Sequence, residues 1–105
     1  MSSRVRLTTD TIRSQVADCL RVSPYKGKIK SIALFGSYVQ GAVKGNSDVD
    51  LLIVFNNPAG YFTLVRIQQE LSQALHSEVD LVTKDALSPH LREEILKEAV
   101  VIYEK

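Results

Sequence analysis

The chain has 105 residues, enough for one hydrophobic core, and its 13 Lys and Arg stand against 12 Asp and Glu for a net charge of +1. That balance argues against a protein built to grip nucleic acid through its phosphates, which needs a basic excess. No apolar run approaches the roughly 20 residues that span a bilayer, so a single domain over 1–105 with no membrane segment is expected.

From Thr9 to about Val22, Ile12, Val16, Cys19 and Leu20 recur at helical spacing behind Thr8 or Thr9 as N-cap, and Ser23-Pro24 ends the pattern. Cys19, the sole cysteine, reads as a packing residue of this helix; with no disulfide to form, and no apolar segment after Arg4 and Arg6 to make a secretory signal, a cytoplasmic protein is expected. Ile29–Phe35 reads as a short buried strand terminated by Gly36. A loop with three glycines, Gly36 to Ser47, leads to the strongest strand, Asp48–Phe55, apolar on both faces. The turn Asn56-Asn57-Pro58-Ala59-Gly60 precedes a helix over Phe62–Leu75, with Phe62, Val65, Leu71 and Leu75 on one side and Arg66, Gln69, Glu70 and Gln73 exposed. Glu78–Thr83 is a third strand, Ser88-Pro89 opens a last helix with Leu91, Ile95 and Leu96 inside, and Ala99–Tyr103 closes as a short β segment. This order predicts an α/β (α+β) fold: a small mixed β-sheet with helices packed mainly on one face.

Asp48 and Asp50 lie two apart along a strand and therefore project from one face. Two ionised carboxylates so placed repel each other unless a cation lies between them, and a hard divalent ion such as Mg²⁺ suits their oxygen donors. Standing alone, the pair also reads as a loop cap and a solvated strand end. Asp80, inside the apolar run Val79 to Val82, would lie next to Asp50 if the two strands paired; Glu78, on the same face, is the alternative third ligand. Gly36-Ser37, directly after the first strand, permits close backbone approach to a phosphate, with the Ser37 hydroxyl and following amides as donors. Lys44 is a further phosphate candidate; Lys26, Lys28 and Lys30 read as a solvated strand edge, and His76 and His90 as surface or capping residues.

Gly36-Ser37, a ten-residue spacer, Asp48-Val49-Asp50 and the later Val79-Asp80-Leu81-Val82 together resemble the signature of the DNA polymerase β-like nucleotidyltransferase superfamily. Leu91 to Tyr103 resembles the close of its short stand-alone members, the MNT-type minimal nucleotidyltransferases. Short members often carry Arg where this chain has Gln40. The resemblance implies the nucleotidyltransferase fold, with Gly36 and Ser37 on the triphosphate of ATP and two Mg²⁺ ions held by Asp48, Asp50 and Asp80. It further implies transfer of AMP to a hydroxyl, with a HEPN-domain toxin as protein partner and its tyrosine as acceptor, the chain acting as antitoxin. Neutralisation by binding alone, and transfer to a small-molecule acceptor, are the alternatives.

Overall fold

The structure is a computed structural model that describes residues 8–36, 39 and 48–104. Helix α1 (Thr9–Arg21) opens on Thr8, whose side-chain oxygen accepts the Thr11 amide proton at 3.1 Å. That bond satisfies one of the orphan donors at a helix start. Strands β1 (Ile29–Phe35) and β2 (Val49–Phe55) follow, then helix α2 (Tyr61–Leu75), strand β3 (Val79–Thr83), helix α3 (Pro89–Glu98) and strand β4 (Val100–Glu104). Short 3₁₀ turns at Lys26–Lys28 and Lys84–Ala86 lead into β1 and out of β3. Lys26 and Lys28 thus belong to a turn, and only Lys30 lies on a strand.

The four strands form one mixed sheet in the order β3-β2-β1-β4. β1 is antiparallel to both β2 and β4, whereas β2 and β3 are parallel and joined through α2. Parallel neighbours need such a crossover, and the period-2 alternation of the strands decides what each face receives. Ile32 and Leu34 of β1, Val49, Leu51 and Ile53 of β2, and Val79 and Leu81 of β3 pack with Ile12, Val16 and Leu20 of α1 and Ile67, Leu71 and Leu75 of α2. A thinner cluster occupies the other face, where Ala33, Leu52 and Ile95 meet Phe35, Val82, Leu87 and Ala99. Two of the three described helices therefore cover one face and α3 the other.

Register along β1 shifts between Ile29 and Ser31, which pair with Phe55 and Val54. One extra residue in β1 resets the alternation, so that Ile29 and Ile32, three apart, both reach the α1/α2 core.

Three details of side-chain burial differ from the sequence expectation. On α2 the inward set is Leu64, Ile67, Leu71 and Leu75, while Phe62 is 70% exposed with Arg66 stacked over its ring at 5.1 Å. Leu64, Ile67, Leu71 and Leu75 keep strict 3–4 spacing, and Phe62 falls off that stripe. On α3 only Ile95 is buried; Leu91 and Leu96 are each 45% exposed, because the short helix meets the sheet along one narrow line. Glu70 is half-buried, its carboxylate accepting a 2.7 Å hydrogen bond from Ser23 Oγ.

Candidate active site

The crossover through α2 returns the chain parallel to β2, and the register pairs Val49 with Val79, Asp50 with Asp80 and Leu51 with Leu81. Both strands carry the tripeptide Val-Asp-Leu at these positions. Their flanking Val and Leu side chains go into the α1/α2 core, so both aspartates must point to the opposite face. Strand spacing of about 4.8 Å then sets the two carboxylates side by side. A hydrogen bond from the Val49 amide to the Glu78 carbonyl, 2.9 Å, fixes the starts of the two strands together. Asp48, two residues before Asp50, is exposed at the mouth of β2.

β1 delivers its C-terminal end to the same place, with Phe35 opposite Asp50. Gly36 follows with φ of 79°, in the left-handed region where a side chain is strained. A Cβ built there would collide with Asp50 Oδ2 and lie 3.1 Å from its Cγ. The glycine is therefore required by the aspartate beside it, a constraint that the sequence reading, which gave Gly36 to phosphate approach, did not foresee. The Gly36 carbonyl accepts from the Val39 amide at 3.1 Å, and Val39 packs against the main core. Ser37, Tyr38, Gln40, Gly41, Lys44 and Gly45 lie outside the described residues.

Electrostatically the centre of the site is Asp50. Its carboxyl is pushed above the ordinary value of 3.8, first by partial burial, then by the Asp80 charge, then by that of Asp48. A site that raises a carboxyl in this way is short of positive charge. All its donors are hard oxygens, of the kind that Mg²⁺ takes. Asp48, Asp50 and Asp80 therefore fit a divalent cation by donor type and by charge. Among the described residues, no three His, Cys, Asp or Glu side chains gather as a ready-made metal cluster; the arrangement is an in-register pair with Asp48 beside it. Of the two histidines, His76 caps α2 in the left-handed conformation, φ of 52°, and His90 faces Glu94 at 3.4 Å on exposed α3 surface. No helix among the described residues is long and apolar enough to cross a membrane.

Comparison with known proteins gives the family and the fold. The family model described as "Polymerase beta, Nucleotidyltransferase" matches residues 19–105. A protein of Methanocaldococcus jannaschii, assigned by inference as a protein adenylyltransferase, is 39% identical over 75 residues, covering 71% of this chain and 81% of its own. Protein adenylyltransferase MntA of Thermococcus cleftensis is 34% identical over 74 residues, covering 70% of this chain and 75% of its own. Among solved structures, the crystal structure of a toxin-antitoxin with AMP-PNP has a chain 29% identical to this one. It superposes with a TM-score of 0.72 over 89% of this chain and 73% of that one.

Proposed function

The chain belongs to the polymerase beta nucleotidyltransferase family, and from that premise we propose that it transfers AMP from ATP to a hydroxyl of a partner protein. The observation that carries this reading is the register pair Asp50–Asp80 on adjacent parallel strands, with Gly36 at the same end of the sheet. Structural stability alone gives no reason to bring carboxylates together, and here partial burial, then the Asp80 and Asp48 charges, push the Asp50 carboxyl above its ordinary value. Names of the relatives add the donor and acceptor class: protein adenylyltransferase in one case, an AMP-PNP complex of a toxin-antitoxin in another.

In this reading the acceptor oxygen attacks the α-phosphorus, the bond from that phosphorus to the bridging oxygen breaks, and pyrophosphate leaves. Asp80, exposed at the sheet edge, takes the acceptor proton. Gly36 and Ser37 hold the triphosphate through backbone and hydroxyl donors. Mg²⁺ held by Asp48, Asp50 and Asp80 would supply positive charge to the triphosphate and to the oxygens that gain charge during transfer. The 1–105 unit acts as one catalytic domain, the acceptor being a tyrosine of a HEPN-type toxin and the chain its antitoxin.

The test is incubation with labelled ATP, Mg²⁺ and the product of the neighbouring gene. Label is expected on that protein, and Asp80→Asn should lower its rate by about 10²–10⁴-fold while leaving binding of the partner intact. An Asp80→Asn chain that neutralises the partner as the parent does, with no nucleotide on it, would decide for neutralisation by binding. Label on a small molecule instead of protein would decide for the third alternative.

A further inference from the structure

On the sheet face opposite the aspartates, the end of α1 and the C-terminal half of α2 border a broadly open cavity of about 380 Å³. Val22, Pro24 and Ala74 give it an apolar rim, and Val22 is 81% exposed, an aliphatic side chain left in water at the mouth. Ser23 and Glu70 supply the polar wall. Ser23 is buried, and its hydroxyl donates to Glu70 Oε1 at 2.7 Å while accepting the Tyr25 amide proton at 3.1 Å. The carboxylate of Glu70 is thereby held in one orientation, and it meets no cation among the described residues. Nearby cations have other partners: Arg66, one turn before Glu70 on α2, lies over the Phe62 ring, Arg21 pairs with Asp18 at 3.1 Å, and Lys26 reaches the Arg21 carbonyl at 3.5 Å.

A fixed, half-buried carboxylate under an apolar rim is complementary to a cation on an apolar stem. We propose that this cavity is a docking site for an arginine side chain of a partner protein, its guanidinium on Glu70 and its methylenes on Val22 and Pro24. Arginine fits better than lysine because its planar fork can engage both carboxylate oxygens, Oε1 retaining a free lone pair beside the Ser23 bond. A protein is the source because the cavity opens broadly to a rim with an exposed aliphatic, which a free small cation would leave uncovered. The site lies across the sheet from the catalytic end, so it stands or falls independently of the transfer reaction.

The experiment is amide-resolved NMR titration of the full chain with acetyl-arginine-amide, with its neutral isostere acetyl-citrulline-amide, and with acetyl-Leu-Arg-Leu-amide. The arginine probes should shift Val22, Glu70 and Gln73 saturably, the tripeptide binding several-fold tighter and the citrulline probe not saturating. Glu70→Gln, which keeps an acceptor for Ser23, should weaken the tripeptide at least tenfold. Gln73→Lys, which places an ammonium of the chain at the mouth, should weaken it too and does not depend on Glu70 for folding. Equal binding of arginine and citrulline probes, or no effect of Gln73→Lys, overturns the proposal. Acetyl-arginine-amide binding as tightly as the tripeptide also overturns it, since the occupant would then be a free guanidinium compound.

Discussion

Along β1, β2 and β3 the side chains facing α1 and α2 are aliphatic from end to end: Ile32 and Leu34, then Val49, Leu51 and Ile53, then Val79 and Leu81. The alternate residues, facing α3, begin as an apolar cluster around Leu52 and Ile95 and end in Asp50 and Asp80. The same three strands thus present a complete core to one side and half a core plus an unfavourable charge pair to the other. Burial of apolar surface is worth roughly 25 cal/mol per Å², so the α1/α2 face holds the stability against which the repulsion of the aspartates is tolerated. Strain at a catalytic centre is affordable when the scaffold is stabilised elsewhere.

Truncations on the two faces should separate them most widely. Leu71→Ala, at a fully buried position of α2, is expected to lose about 3–5 kcal/mol in chemical denaturation, and Ile95→Ala on α3 about 2 kcal/mol. Equal losses would break the contrast. Next is Gly36→Ala, which meets both the left-handed backbone and the Asp50 carboxylate. The backbone alone should cost about 1–2 kcal/mol, and transfer activity should fall further than that loss of fold explains, because the carboxylate must move. A Gly36→Ala chain with parental activity would show that Asp50 needs no fixed position.

The smallest effect concerns pH without divalent cation. The Asp50 carboxyl is raised on folding, so its contribution to stability is fully present below 3.8 and is lost as pH climbs through the raised folded value. Asn carries no charge at any pH. Asp50→Asn should therefore match the parent in melting temperature in acid and gain on it toward neutrality, and Mg²⁺ with ATP should stabilise only the parent. A variant less stable than the parent at neutral pH would mean that the α3 face is not under charge strain.

Much of this was legible beforehand because it depends on local pattern. Thr8, the Ser23-Pro24 break and Ser88-Pro89 marked the helix ends, and each does so in the structure. The repeated Val-Asp-Leu at 49–51 and 79–81 contains the facing: burying Val and Leu on both strands puts both aspartates on the same side of the sheet, while their level pairing needed the strands in space. What was not legible depends on tertiary geometry. Phe62, Leu91 and Leu96 are apolar and helical, yet burial was decided by how wide a stripe each helix presses on the sheet. Glu70 looked like any exposed helix glutamate until Ser23, 47 residues away, came to bond it. Gly36 signalled a turn in sequence; that its missing Cβ makes room for Asp50 needed two strands in space.

The pairing of β1 with β4 brings Ser31 opposite Glu104, far apart in sequence, whereas β1–β2 and β2–β3 join segments much closer in sequence. Closing so long a loop carries a larger entropic penalty and slows the search for the native topology. The aspartate-bearing end, made by the three earlier strands, can thus assemble in a folding step before β4 docks, and Ile102 then seals the core beside α1. The last-formed edge is also expected to open first, so amide exchange in β4 should run ahead of that in β2. The aspartates would then keep their register while the far edge of the sheet breathes.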